Sequence, residues 1–395
     1  MKKTSYMEIA GILSLSLLIT STMAISGGVP EMVNEFCTND SGMYSRSSIE
    51  LLVSIPSFTI MLIIALTPVL TKYIRERIMI TAGLCIIGTA GMMPVFTSSL
   101  PLIFVSRLFL GVGIGLVNTL AVTLIGERFQ GELRQKLQGI RCSMETFGEA
   151  SLIFIAGQLL IFGWHYSFLV YGLAFIILFL YLTFVPETKS HPFNTTSEKQ
   201  TNYTSSRKLT KREWTTMIQN AVLGSMLVST LSANALRISS FVVESGFGNS
   251  IDGSNILSLS ILSGFAGGFL FGKFIQLLKS FLLPCSAAFI TVGFIVLVYG
   301  GNITAVAIGA SICGFFATIA LSYMFNTLSD KLPADALTTA NSVVLVGCNL
   351  GGTITPFLLQ AIGLIDSTLK TGFLTYASAY LILSIGIIFI RQIKK

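Results

Sequence analysis

Charge is what this 395-residue chain has least of: Asp, Glu, Lys and Arg make up 11% of it, against roughly 25% in an ordinary soluble domain. With 52% hydrophobic residues and a mean hydropathy of +0.78, that scarcity excludes a soluble globular protein and leaves a polytopic membrane protein. Histidine is scarcer still. His165 and His191 fall in different loops on opposite predicted sides, and neither HExxH nor paired CxxC occurs, so no enzyme activity, metal site or cofactor is expected. Of the six cysteines, only Cys37 faces outside on the topology below, which argues against an intrachain disulfide scaffold. Proline is sparse (10) and glycine abundant (36), a balance that suits close-packed helices. A net charge of +7 would hint at nucleic acid in a soluble chain. Here the basic residues are topology signals first, and no nucleic-acid partner is expected.

What is present is a succession of apolar runs. A spanning helix needs about 20 mostly apolar residues, and spans are predicted near 7–27, 49–70, 78–97, 101–126, 139–162, 165–185, 214–238, 254–277, 281–300, 303–327, 337–363 and 371–391. Lys2 and Lys3 before the first run imitate a signal peptide, but the later runs favour a retained helix. With the N-terminus cytoplasmic, only Arg46, Arg237 and Lys370 stand at or outside the outer surface and Arg107 alone lies inside a span. The other basic residues face the cytoplasm, so both termini are predicted there, in a cell membrane.

The sequence "PETKSHPFNTTSEKQTNYTSSRKLTKRE" is the long hydrophilic stretch that separates six spans from six, and its composition reads as a linker. Its basic end, Arg207–Arg212, rests on anionic headgroups or is simply solvated. The expected domains are therefore 1–186, a linker 187–213, and 214–395. A weak repeat relates the halves: the fifth span corresponds to "GCNLGGTITPFLLQAIG" in the eleventh, and "TPVLTKYIRERI" to "GGFLFGKFIQLLK".

Several motifs carry a family resemblance. "AISGGVPEMVNEF" (24–36), "RLFLGVGIG" (107–115), "GWHYSFLVYG" (163–172), "VPETK" (185–189) and "NLGGTITP" (349–356) occur in an order and spacing that resemble the major facilitator superfamily, specifically its bacterial drug and metabolite proton-antiporter branch. The resemblance implies an all-α membrane protein of twelve transmembrane helices in two pseudo-symmetric six-helix bundles. It also implies export of a small amphipathic drug-like or metabolite molecule against protons, with a bacterial source and a functional monomer. Two departures stand out. Thr67, Thr71 and Ile74 occupy the glycine, aspartate and glycine positions of the family's loop between helices two and three, leaving only Lys72, Arg75 and Arg77 of its basic cluster. In helix five Gly148 and Gly157 remain, but no proline follows Gly148.

The charges of "IRCSMETFGEASLIFIAGQLLIFG" (140–163) share one helical face. At 1.5 Å per residue, Arg141 lies roughly 3 Å deep, Glu145 roughly 9 Å and Glu149 roughly 15 Å, the middle of a ~30 Å core. Glu145 reads as Arg141's partner in a hydrated vestibule or as part of the coupling machinery. Glu149 is either a proton or substrate site or a structural buried acid. Desolvation favours the neutral form of a carboxyl and a nearby cation the charged form, so a group poised between them can load and release protons. Arg107, within about one turn of Glu149 in depth, is the expected counter-charge, and the resemblance implicates it in proton coupling; the alternative is an arginine bonded to backbone carbonyls.

Gly111, Gly113 and Gly115 are expected to permit close helix approach rather than bind a dinucleotide. Gly148, Gly351, Pro356 and Arg75 join them as packing and gating candidates. The resemblance implies that helices one, four, seven and ten line a central cavity, which favours Asn118, Asn234 and Tyr323 as substrate contacts. Asn349 is a further substrate candidate, and Asn220, Asn326 and Asn341 are other buried polar residues; interhelical hydrogen bonding is the competing role for each. The expected partners are a small-molecule substrate, protons and the lipid bilayer. Proton-coupled uptake of a small polar solute in the same fold is the competing function.

Overall fold

The structure, a computed structural model, describes residues 6–39, 44–71, 73–129, 131–186, 210–366 and 368–393. The linker 187–213 lies outside them except for its last four residues, as do His191, Lys72 and the terminal lysines. Among the described residues the regular structure is helical: α1 (Tyr6–Ser14), α2 (Val29–Val33), α3 (Arg46–Leu70), α4 (Glu76–Met92), α5 (Leu100–Arg128), α6 (Gly131–Leu159), α7 (Leu173–Phe184), α8 (Lys211–Glu244), α9 (Ser250–Leu278), α10 (Leu282–Tyr299), α11 (Ile303–Lys331), α12 (Ala334–Gly363) and α13 (Leu369–Ile393). Ten helical stretches among the described residues are long and apolar enough to cross a membrane, or eleven when the bent first helix is counted as one span. One of the ten is Ser250–Tyr299. The sequence reading divides it into two spans, and the 3-10 turn Lys279–Phe281, with Lys279 at φ 46°, falls between them.

Local chemistry fixes several starts. Thr210 and Glu213 form a reciprocal capping box at α8, and Asn249 and Asp252 another at α9. Each satisfies backbone N–H groups that a helix start leaves free. At α11 the Asn302 side chain accepts from Ala305 N at 2.8 Å. The exposed Arg75 is the N-cap residue of α4, so this remnant of the family's basic loop sits at a helix entrance.

Two compact units form, Met1–Ile25 with Leu52–Thr204 and Ser26–Leu51 with Ser205–Lys395. In the first unit the three glycines of α5 divide their work. Gly113 meets α4, where an added Cβ would lie 2.7 Å from Gly83 O; Gly115 meets α3, where it would lie 2.8 Å from Ile63 Cβ; and Gly111 is seated on Thr59 and Pro56. Small residues let these backbones approach without side chains between them. In the second unit, buried Met217, Met324, Leu328, Leu332, Ala336 and Val344 form a core between α8, α11 and α12. Large apolar side chains also face outward, Phe269 at 84% and Ile382 at 71% exposure among them, as expected where lipid replaces water.

The suggested repeat has a counterpart in packing. Gly148 of α6 is pressed on the backbone of Leu17, while Gly351 of α12 is pressed on the backbone of Ser225 in α8. The fifth span thus packs by a glycine on the first, and the eleventh on the seventh. Pro356 sits within α12, and beside it Thr355 Oγ1 is 2.7 Å from Gly351 O and 2.9 Å from Ser229 Oγ.

Candidate functional site

The sequence predicts one continuous first helix, and the structure corrects this. Tyr6–Leu18 and Ser21–Cys37 meet at 48°, and beyond α1 the chain winds through short 3-10 turns at Leu15–Leu18, Ser21–Met23 and Ser26–Gly28. The segment "LLITSTMAISGG" supplies the reason: Ser and Thr compete for backbone hydrogen bonds and paired glycines weaken a helix. A broken helix inside a membrane needs partners for its carbonyls, and these come from side chains.

Arg107, 1% exposed, is the chief of them. Its Nη2 donates to Thr22 O at 2.5 Å and Val53 O at 3.2 Å, and its Nε donates to Leu52 O at 3.3 Å. Nη1 donates to Tyr171 Oη at 2.7 Å, and Tyr171 in turn donates to Ser21 O at 2.9 Å. The guanidinium carbon also stands 5.6 Å from the Tyr171 ring centroid, within cation–π range. Arg107 therefore ties the broken helix to α3, α5 and the 3-10 segment Trp164–Gly172. It forms no ion pair with Glu149, contrary to the expected counter-charge arrangement. Depth along the helix axis matched the two residues, but the planar fork of donors found carbonyls first.

On α6 the charges divide as their depths suggested. Arg141 pairs with Glu145 one turn away and also donates to Gln138 Oε1 at 2.9 Å. The Glu145 carbonyl accepts from Thr20 Oγ1 at 2.9 Å, which places the break of the first helix against this turn. Glu149 is partly buried, and its carboxyl makes no hydrogen bond or ion pair among the described residues. The charged group acting on it is Glu145, of the same sign. Its neighbour Gly148 is what brings α6 onto Leu17.

The polar candidates behave differently from one another. Asn118 and Tyr323 are partly buried, and their side chains form no hydrogen bond among the described residues. Asn234 is 1% exposed, and both of its amide atoms lack a partner; it is sealed inside its unit in this conformation, not open on a cavity as expected. Asn349 donates to Leu345 O at 2.9 Å, a bond within its own helix. Asn220 does likewise to Thr216 O at 2.8 Å.

Sequence reasoning missed the roles of three residues. Tyr171 was visible only as part of a motif, although its hydroxyl couples Arg107 to the broken helix. Glu50 was passed over at the start of a span, and Arg237 was counted as a residue near the outer surface. In the second unit Arg237 Nε donates to Glu50 Oε1 at 3.0 Å, with the two residues 6% and 1% exposed. The missed signal was a carboxylate and an arginine that each stand within one turn of the end of an apolar run.

A broken first helix, glycine-mediated packing repeated in both units and buried charged groups within apolar spans describe a polytopic membrane protein. The Major Facilitator Superfamily profile matches residues 11–356, and the chain belongs to that superfamily of transporters. No curated protein matches it by sequence. Solved structures share its fold. A POT family transporter in complex with 5-aminolevulinic acid matches at TM-score 0.76 and 14% identity, over 98% of this chain and 96% of the other. A D-xylose-proton symporter matches at TM-score 0.74 and 16% identity, over 97% of both chains. A mutant peptide transporter POT in complex with sulfate matches at TM-score 0.78 and 12% identity, over 97% and 94%.

Proposed function

We propose that this transporter couples the movement of a small amphipathic molecule to protons, with Glu149 carrying the proton, and that it exports its substrate by antiport across a cell membrane with both termini cytoplasmic. The observation that supports this most is the Glu149 carboxyl itself: deep in an apolar span and without a partner in the described residues, it is free to change protonation as the protein changes state. Glu145 and Arg141 supply a charged approach to it from one end of α6. Arg107 enters as the residue that sets the shape of the broken helix beside Glu145 and Gly148, a positioning role. Asn118 and Tyr323, with unused hydrogen-bonding groups, are proposed substrate contacts. Asn234 would join them after a conformational change, while Asn349 is better suited to stabilising α12. Alternating access needs two states that protonation and substrate bias differently.

Uptake by proton symport is the second reading. Glu149 stands directly after Gly148, where the antiporter branch has its proline, and the similar folds include a D-xylose-proton symporter. Inside-out vesicles with an acidic lumen separate the two. When substrate is added outside, antiport moves it inward as protons leave and the lumen becomes more alkaline; symport carries both inward and acidifies the lumen further. Acidification would overturn export.

A further inference from the structure

α9 and α10 are joined by the turn Lys279–Phe281, yet beyond it each packs on α11 rather than on the other. Glycines set both contacts. A Cβ added at Gly267 of α9 would lie 2.5 Å from Phe315 O, and one added at Gly293 of α10 would lie 2.9 Å from Gly309 O. Hydrogen bonds fix the α9 side: Ser260 Oγ donates to Ala310 O at 2.7 Å and Ser263 Oγ to Ser311 O at 2.8 Å. Along this seam a groove of about 480 Å³ stays open, walled by Leu259 and Ser263 of α9 and running down one face of α11 from Thr304 through Ile308 and Ile312 to Phe316. Phenylalanines from all three helices close its inner end. Phe289 stacks on Phe316 with ring centroids 4.4 Å apart, and Phe274 meets Phe315 at 5.8 Å and Phe316 at 6.3 Å.

The groove has the dimensions of one leaflet. Thr304 and Phe316 stand twelve residues apart, about 18 Å of helix. The exposed Tyr299 ends α10, and a tyrosine at the end of a spanning helix marks the headgroup level. Phe289 lies ten residues earlier, about 15 Å deeper and so near the middle of a ~30 Å hydrocarbon core. The groove thus runs along α11 from the interface to the midplane. Its wall is almost all carbon: Ser263 Oγ is bonded to Ser260 O and Ser311 O, and Ser311 Oγ, which has no partner, is buried. Water finds no set of polar partners there, and a void would forfeit the dispersion contacts of the whole wall. Leu259, Leu262 and Ile308 on its flanks are exposed, so the groove is continuous with the apolar surface that meets the bilayer.

We propose that this groove is a lipid site: it holds one acyl chain of a phospholipid from the leaflet at that end, with the last carbons on the phenylalanine cluster and the ester linkage beside Thr304. An acyl chain has the form the groove asks for. It is apolar, narrow, one leaflet long and anchored at the level of Tyr299, where the exposed Thr304 brings a hydroxyl to the ester. The chain completes the packing of α11, whose other faces already rest on α8, α9 and α10. Neither the role of Glu149 nor the direction of transport bears on this site.

Photo-cross-linking of the full-length protein in lipid nanodiscs tests it, with two phosphatidylglycerol probes that carry a diazirine on one chain, either next to the ester or at the chain end. Labelled peptides are quantified by mass spectrometry. The exposed Ile382 is as far into α13 as Phe316 is into α11, so α13 provides an apolar face at the same depth for comparison. In the wild type the chain-end probe should label 312–316 about tenfold more than 379–386, and the ester-end probe should move the excess to 304–308. Ile308→Trp and Ala307→Phe each put a ring into the groove and should remove the excess while α13 labelling stays as it is. Ile308 is already exposed, so its replacement leaves the α9–α11 seam intact. Equal labelling of α11 and α13 in the wild type, or an excess that survives both substitutions, marks ordinary boundary lipid and overturns the proposal. Displacement of the chain-end label by tetraphenylphosphonium, with α13 labelling unchanged, would assign the groove to a small amphipathic molecule and overturn it equally.

Discussion

Replacing Arg107 by Lys separates the carbonyl clamp from the counter-charge it was first expected to be. Arg107 makes four hydrogen bonds, to Thr22 O, Leu52 O, Val53 O and Tyr171 Oη. A lysine ammonium keeps the charge, but its three donors radiate from one atom and cannot reproduce a planar fork reaching two helices and a tyrosine. Interhelical hydrogen bonds in membrane proteins average about 0.6 kcal/mol each, so loss of most of the set should cost roughly 2 kcal/mol. Stranding the carbonyls of a broken helix in a dry site pushes the cost upward. Arg107→Lys is thus expected to lower unfolding free energy in mixed micelles by about 2–3 kcal/mol. A cycle with Glu149→Gln adds the decisive term. Because the two side chains share no bond, their effects should add to within about 0.5 kcal/mol. A coupling energy above about 1 kcal/mol would show that Arg107 and Glu149 interact and would refute the clamp account.

Other expectations follow from single positions. Gly113→Ala places a methyl 2.7 Å from Gly83 O and should cost about 1–3 kcal/mol by overpacking, whereas Gly139→Ala meets nothing within 4 Å and should be neutral or gain up to about 1 kcal/mol from helix propensity; thermal unfolding of the two variants compares them directly. Asn234→Leu removes two unpartnered amide atoms and should stabilise by about 1–3 kcal/mol, while substrate transport falls if the amide is used in another state. Asp366, in the exposed turn before α13, is held below the ordinary carboxylate range by bonds from Thr371 and Thr368. A depressed folded value stabilises the turn above the unfolded pKa and is lost as pH falls through the folded one, so amide exchange at Thr368 should accelerate only in strong acid and Asp366→Asn should abolish that step.

The fold was legible wherever one periodic signal decided it. Apolar run length set the spans, and four-residue spacing set the Arg141–Glu145 pair. Residue type set the tight crossings at Gly111, Gly113 and Gly115. The break in the first helix escaped because hydropathy counts Ser and Thr among apolar neighbours without registering their competition for backbone bonds. The Arg107–Glu149 pairing failed for a related reason: rise per residue gives depth, and depth does not say which way a side chain turns. Glu50 and Arg237 escaped because charges at span ends are read as topology signals, and a buried pair built from two of them looks the same in sequence as two solvated ends.

The central claim is that the Glu149 carboxyl carries the proton moved with substrate. Lumenal pH and substrate content recorded together in vesicles of wild type, Glu145→Gln and Glu149→Gln give the proton-to-substrate ratio for each. The account predicts a ratio retained in Glu145→Gln and reduced to zero in Glu149→Gln, with substrate still crossing down its own gradient. A wild-type ratio in Glu149→Gln would contradict it.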